Sequence, residues 1–160
     1  MSAKVTRALI WLNRIFHEHQ VPYQIVGGLA ASIHGGQRPV ADIDLYIPAE
    51  SSEIVLTEVR NYLSKPMAHY VEHGWDVDYF QLLYQEQKIE IGLSPGSKVF
   101  DSRSGQWTDL VIDYSQSVAA HYHGVEVTVM PLAALIAYKS LLGREVDLID
   151  IRELTQSRSL

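Results

Sequence analysis

Val26-Gly27-Gly28-Leu29-Ala30-Ala31-Ser32-Ile33-His34-Gly35-Gly36-Gln37-Arg38-Pro39-Val40-Ala41-Asp42-Ile43-Asp44-Leu45 is the stretch on which the fold turns. A short apolar strand, Tyr23–Val26, runs into Gly27-Gly28, where the chain can bend with no side chain in the way. Leu29–His34 reads as a short helix closed by Gly35-Gly36. Val40–Ile47 alternates like a strand, with Ile43, Leu45 and Ile47 facing one way and Asp42, Asp44 and Tyr46 the other.

Residues i and i+2 of a strand share a face about 6.6 Å apart, from a rise of about 3.3 Å each. Two carboxylates so spaced can converge on metal ions. Mg²⁺ prefers oxygen ligands, and commonly joins one or two carboxylates to the phosphates of a substrate. Two such ions about 3.5–4 Å apart can stabilise both the attacking and the leaving oxygen of an in-line phosphoryl displacement. The glycine pair adds bare backbone N–H groups at a helix start, a natural cradle for phosphate. Arg38 can supply a fixed positive charge nearby.

Outward from this stretch, Ala3–His19 is expected to be an amphipathic helix, with Val5, Leu9, Leu12 and Phe16 at helical spacing. Ser51 or Ser52 is expected to cap a helix reaching about Leu63, with Val55, Val59 and Tyr62 on one face. Trp75–Tyr84 and Lys88–Leu93 read as a hairpin around Gln85-Glu86-Gln87. Within it Ile89, Ile91 and Leu93 form one face, with Lys88 and Glu90 on the other. A strand beside Asp42 and Asp44 would bring Glu90 to them as a third carboxylate, able to bind a metal or accept a proton. Asp76 and Asp78, in the partner strand, are rivals for that role.

Ser94–Gln106 is polar and is expected to be a loop over the site. Asp109–Asp113 reads as a weak strand and Val125–Val129 as a clearer one. Pro131 suits the first turn of a helix reaching about Leu142, and Glu145–Leu154 is a last helix. Arg144, Asp147 and Asp150 read as a helix-linking ion-pair set, of small energetic value if exposed. The seven histidines show no paired metal spacing and read as structural or surface residues.

A chain of 160 residues fits a single domain with a core of its own, here expected to span residues 1–160 with C-terminal helices from about 131. There is no cysteine, which excludes disulfides and thiolate zinc sites. No segment has the run of about 20 apolar residues that a membrane helix needs. Met1–Leu12 lacks the pattern of a secretory signal, so a cytoplasmic protein without membrane contact is expected. The net charge of −6, with no Lys/Arg run, argues against non-specific binding to nucleic acid.

The Gly27-Gly28 turn, the Asp42-Ile43-Asp44 strand and the later Glu90 together resemble the nucleotidyltransferase superfamily with its polymerase-beta-like fold. Val26-Gly27-Gly28-Leu29-Ala30, His34-Gly35 and Arg38 look most like the small stand-alone members related to abortive-infection toxin-type and lincosamide or aminoglycoside nucleotidyltransferases. Pro131–Lys139, Gly143-Arg144 and Asp147–Ile151 resemble the helix pair that ends many of them. Two positions depart from the pattern: the third acid is Glu where many relatives have Asp, and Val146 stands where a basic residue is frequent.

The resemblance implies an α/β (α+β) domain, a small mixed β-sheet with helices packed on one side. It implies transfer of a nucleoside monophosphate from an NTP, ATP being expected, to a hydroxyl, with release of pyrophosphate. Asp42, Asp44 and Glu90 would be the catalytic acids and metal ligands, holding two Mg²⁺ ions, or Mn²⁺ in their place. Gly27, Gly28, Arg38 and Lys139 would bind the nucleotide. The acceptor could be a small molecule, tRNA or a protein, and the oligomeric state stays open. The alternatives are a toxin–antitoxin component acting on tRNA or protein, and a nucleotide-binding protein of the same fold without catalysis.

Overall fold

A computed structural model of the protein describes residues 2–156. Met1 and residues 157–160 of the expected domain lie outside the described residues.

The fold grows from strand alternation. Strands β1 (Gln24–Val26), β2 (Ile43–Pro48), β4 (Trp75–Tyr84) and β5 (Gln87–Ser94) form the middle of a mixed sheet. The register pairs Ile25 with Leu45, Leu45 with Ile91, and Ile91 with Phe80, so one row of apolar side chains crosses all four strands. That row and its neighbours Ile43, Ile47, Leu82 and Ile89 are fully buried. Helix α1 (Ser2–Glu18) covers them with Val5, Ala8, Leu9, Leu12, Ile15 and Phe16, recurring every three or four residues. Helix α3 (Ser52–Val59) adds Val55 and Val59 to the same side. These helices lie on the expected side of the sheet.

The chain turns from β1 directly into α2 (Gly27–Ile33), which begins at the glycine pair rather than two residues after it. Gly27 has a φ of +67°, a conformation that suits glycine and permits this abrupt change of direction. Helix α4 (Leu132–Leu142) follows Pro131 as expected and ends on Gly143 in the left-handed conformation. Helix α5 (Glu145–Gln156) packs on α4 and α2 and completes the described chain.

The sheet is larger than the sequence suggests, with nine strands among the described residues. Strand β3 (Leu63–Glu72) pairs along β4, although its ten residues, almost all exposed and interrupted by Pro66, carry no readable alternation. The helix expected to reach Leu63 ends at Val59 and passes through a 3-10 turn, Arg60–Tyr62, into β3, and Tyr62 packs on Trp11 and Tyr84. Neither serine caps α3 through its side chain: the N-cap is Ser51, which makes no such hydrogen bond.

The expected loop Ser94–Gln106 contains β6 (Lys98–Asp101), which pairs with β4 and with β7 (Gln106–Asp109) and extends the sheet edge instead of covering the site. Asp109–Asp113 is not a strand beyond Asp109 itself. Strand β8 (Val118–Tyr122) pairs with β9 (Val125–Val129), which in turn lies parallel to β1. The β4–β5 turn has two residues, since Tyr84 pairs with Gln87, and both Gln85 and Glu86 take positive φ values. Among the described residues no helix is long and apolar enough to cross a membrane.

Candidate active site

The polar face of the sheet is the alternate row. Asp44 on β2 sits in register with Glu90 on the parallel strand β5, and across β1 it faces Val26, the residue before the glycine pair. Asp42 lies one residue before β2 begins, at the mouth of the strand. The three carboxylates line one cleft of about 500 Å³, together with Gly27, Gly28, Arg38 and Lys139. Every residue expected at the site therefore faces the same space.

The rival acids do not. Asp76 and Asp78 lie on the opposite face of β4 from Trp75, Val77, Tyr79 and Gln81, which line the cleft. Both reach His69 on β3 instead, at 3.1 and 2.8 Å. The residue of β4 opposite Glu90 is Gln81.

Glycine is needed at the turn for two different reasons. A Cβ on Gly27 would lie 2.8 Å from Asp44 Oδ2, so the carboxylate rests where a side chain would stand. A Cβ on Gly28 would meet only Arg38 Nη2, at 3.8 Å, and points to open cleft. Gly27 thus lets Asp44 approach, whereas Gly28 leaves room for something else.

The electrostatics of the acidic wall are unbalanced. Burial, then the neighbouring Glu90 and Asp42, push the Asp44 carboxyl up from its ordinary value to about 7. Lys88, two residues before Glu90 on the same face, sets its ammonium 3.2 Å from Asp42 Oδ2 and 3.8 Å from Glu90 Oε1. Asp44 has no ion pair of its own among the described residues, Lys88 being spent on its two neighbours. Such a group gains from an added cation. No three His, Asp or Glu side chains among the described residues stand close enough to cage a metal by themselves. Mg²⁺ does not require that, since water and substrate phosphates supply its other ligands. The donor set, two or three carboxylate groups beside an open cleft, fits a cation that shares its coordination with a phosphate-bearing substrate.

The opposite wall is charged but balanced. Arg38 grips Asp150 with two parallel hydrogen bonds, Nε to Oδ1 at 2.7 Å and Nη2 to Oδ2 at 2.8 Å. Lys139 Nζ lies 2.8 Å from Asp150 Oδ2 and 3.7 Å from Asp147 Oδ1. Arg144 closes the set on Asp147 with bonds of 2.7 and 3.1 Å, and its guanidinium lies over the Trp75 ring. The expected ion-pair set holds only in part: Arg144 pairs with Asp147 but not with Asp150, whose partners are Arg38 and Lys139, and it is Lys139 that links the two helices. Nor do the acids lie on the surface: Asp147 and Asp150 are 0% and 1% exposed, and Lys139 only 2%. Lys139 is neither a solvated helix residue nor a free cation.

Sequence reasoning missed Lys88 as a site residue, although its alternation with Glu90 was visible. It also missed the aromatic wall of Trp75, Tyr79 and Tyr138, where Trp75 Nε1 donates to Tyr138 Oη at 2.8 Å. That wall joins β4 to α4, and no local pattern announces it. Among the histidines, His73 lines the cleft, while His34 bonds the Met130 carbonyl at 2.8 Å in a structural role.

Comparison with solved structures shows what the fold is similar to. A candidate nucleotidyltransferase from Thermotoga maritima superposes with a TM-score of 0.69 at 20% identity, over 96% of this chain and 95% of that one. The lincosamide antibiotic adenylyltransferase LnuA, bound to lincomycin, gives 0.62 at 17% identity over 93% and 95%. The enzyme ANT(2″)-Ia, in complex with adenylyl-2″-tobramycin, gives 0.56 at 17% identity over 94% and 89%. No family model and no curated protein matches the sequence. The chain has the nucleotidyltransferase fold. The likeness runs over 95% of the Thermotoga maritima chain and 95% of the LnuA chain.

Proposed function

We propose that the protein is a metal-dependent nucleotidyltransferase that moves a nucleoside monophosphate from an NTP, with ATP the expected donor, to a hydroxyl of an acceptor. The observation that carries this reading is the register of Asp44 with Glu90, with Asp42 beside them, in one cleft with the Gly27-Gly28 turn. The acceptor oxygen attacks the α-phosphorus, the bond to the β-phosphate oxygen breaks, and pyrophosphate leaves. Mg²⁺ ions, bound by Asp42 and Asp44 with Glu90, would supply positive charge to the reacting phosphates. Glu90 is the group available either to complete that metal site or to take the proton of the acceptor hydroxyl. Gly27 and Gly28 line the cleft, and backbone N–H groups at this helix start would suit the β- and γ-phosphates. The buried Lys139 and the partly exposed Arg38 line the same cleft and would face the phosphates without giving up Asp150.

Incubation with each NTP, Mg²⁺ and a cell lysate, following labelled nucleotide and released pyrophosphate, tests the reading. Transfer is expected in the wild type and not in Asp42→Asn with Asp44→Asn. A wild type that binds no NTP in the presence of Mg²⁺ overturns it. One observation favours a second reading, nucleotide binding without transfer: the Lys88 ammonium already neutralises part of the acidic wall.

A further inference from the structure

Lys88 is the feature of the cleft that the reaction does not call for. It stands on β5 one residue before Ile89, the partner of Ile43, just as Asp42 stands one residue before Ile43, and this brings the two side chains together. Its ammonium bridges the two outer carboxylates, Asp42 and Glu90, from different strands. Its side chain is 43% exposed and is held by nothing else among the described residues, so rotation into the cleft needs no movement of the backbone. The two acids it bridges are also the outer two of the set that would receive a divalent ion.

We infer that Lys88 is a tethered stand-in cation, which keeps free divalent metal out of the site and lets metal enter together with a nucleotide. This rests on the metal-site reading above. Without nucleotide, a metal ion reaching Asp42 and Glu90 has to displace an ammonium that would then face only water. With nucleotide present, the displaced ammonium finds phosphate oxygens in the same cleft, so the loss is offset. Metal and nucleotide are thereby coupled: each strengthens the binding of the other, and Lys88 carries part of that coupling. Lys88 is a positioning residue in this account, acting through the carboxylates and the phosphates rather than on the reacting atoms.

The experiment uses Mn²⁺ as the probe, with free ion counted by electron paramagnetic resonance, on metal-free wild type, Lys88→Met and Lys88→Arg, each with and without ATP. Lys88→Met is expected to bind Mn²⁺ without ATP about tenfold more tightly than wild type, the scale of two partly exposed ion pairs. Lys88→Arg, which keeps the charge, should stay near wild type. ATP should tighten Mn²⁺ binding by a larger factor in wild type than in Lys88→Met. In an Asp42→Asn background the gain from Lys88→Met should shrink, because one of the bridged acids is gone.

Lys88→Met that keeps its circular-dichroism spectrum and binds Mn²⁺ no more tightly than wild type overturns the inference. If ATP still promotes Mn²⁺ binding in that variant and in wild type equally, the metal site stands and only the part given to Lys88 falls. If no variant binds Mn²⁺ with or without ATP, the metal-site reading falls and this inference with it. Lys88→Gln serves as the second neutral variant should Lys88→Met fail to fold.

Discussion

Two charged walls face each other across one cleft, and they use the same kinds of residue to opposite ends. On the β-sheet wall, one lysine pairs with Asp42 and Glu90 but not with Asp44 among the described residues, and the Asp44 carboxyl is driven up to about 7. On the helical wall, Asp147 and Asp150 are buried almost completely, yet each is held by two cations. There the Asp150 carboxyl is held below its ordinary value: burial opposes this, but the hydrogen bonds of Arg38 and Lys139 outweigh it. Burial alone does not separate structure from function. The difference is whether the protein supplies the compensating charge itself. Where it does, the cluster fastens α4 and α5 to the segment before Asp42. Where it does not, a ligand is left to complete the site.

Replacing acids on the two walls should therefore give opposite results. The largest effect is expected for Asp42→Asn with Asp44→Asn. Nucleotidyl transfer should fall by about a thousandfold or more, roughly 4 kcal/mol of transition-state stabilisation, while the metal-free protein melts no lower than wild type. Labelled transfer and thermal melting of the same preparation check both halves. A double variant that transfers normally would break the assignment of the sheet wall.

Asp150→Ala should do the reverse, leaving Arg38 and the buried Lys139 without their shared partner. A loss of about 3–5 kcal/mol is expected, as for other buried pairs broken on one side. Chemical denaturation measures it. A loss below about 1 kcal/mol would mean that the helical wall is as dispensable as an exposed ion pair.

The sheet wall should also make the metal-free protein sensitive to pH. Asp44 is raised in the folded state, so its protonated form favours folding. That contribution is full below the unfolded value near 3.8 and is lost as pH rises through about 7. The stability of wild type relative to Asp44→Asn should consequently fall between pH 5.5 and pH 8, by on the order of 2 kcal/mol. Melting curves of both proteins across that range provide the test, and parallel curves would show that Asp44 is already compensated.

The smallest effect concerns the glycine turn that borders the sheet wall. Gly28→Ala should keep the fold, since its Cβ meets only the end of Arg38, but weaken NTP binding by about tenfold, roughly 1.4 kcal/mol. Gly27→Ala should instead lower the melting temperature, because its Cβ would collide with Asp44 Oδ2 in a left-handed backbone. Calorimetric titration with ATP and Mg²⁺, beside thermal melts, separates the two. Equal behaviour of the two variants would remove the distinction between a glycine that admits Asp44 and one that admits phosphate.

What the sequence determined by itself is local and periodic. Alternation put Asp44 and Tyr46 on one face of β2, with Asp42 just before it, and Ile43, Leu45 and Ile47 on the other, and it turned Glu90 away from Ile89 and Ile91. Helical spacing identified the buried stripe of α1, and Pro131 marked the start of α4, which ends at Leu142 as expected. Each of these follows from a repeat of two or 3.6 residues within one element. Strand β3 was not legible, because its exposed residues and Pro66 carry no such repeat, and it exists by pairing along β4.

Tertiary structure alone decided everything that depends on register between distant segments. It set Glu90, and not Asp76 or Asp78, beside Asp44 by running β5 parallel to β2, and it brought Lys88 to Asp42 at the end of the same strand pair. It also joined Arg38 to Asp150, 112 positions later in the chain, and buried Lys139 between two aspartates instead of leaving it on a solvated helix face. The physical reason is one of range. A side chain's face is set by its own backbone dihedrals, whereas its partner is set by how whole elements pack, and no residue records that packing alone.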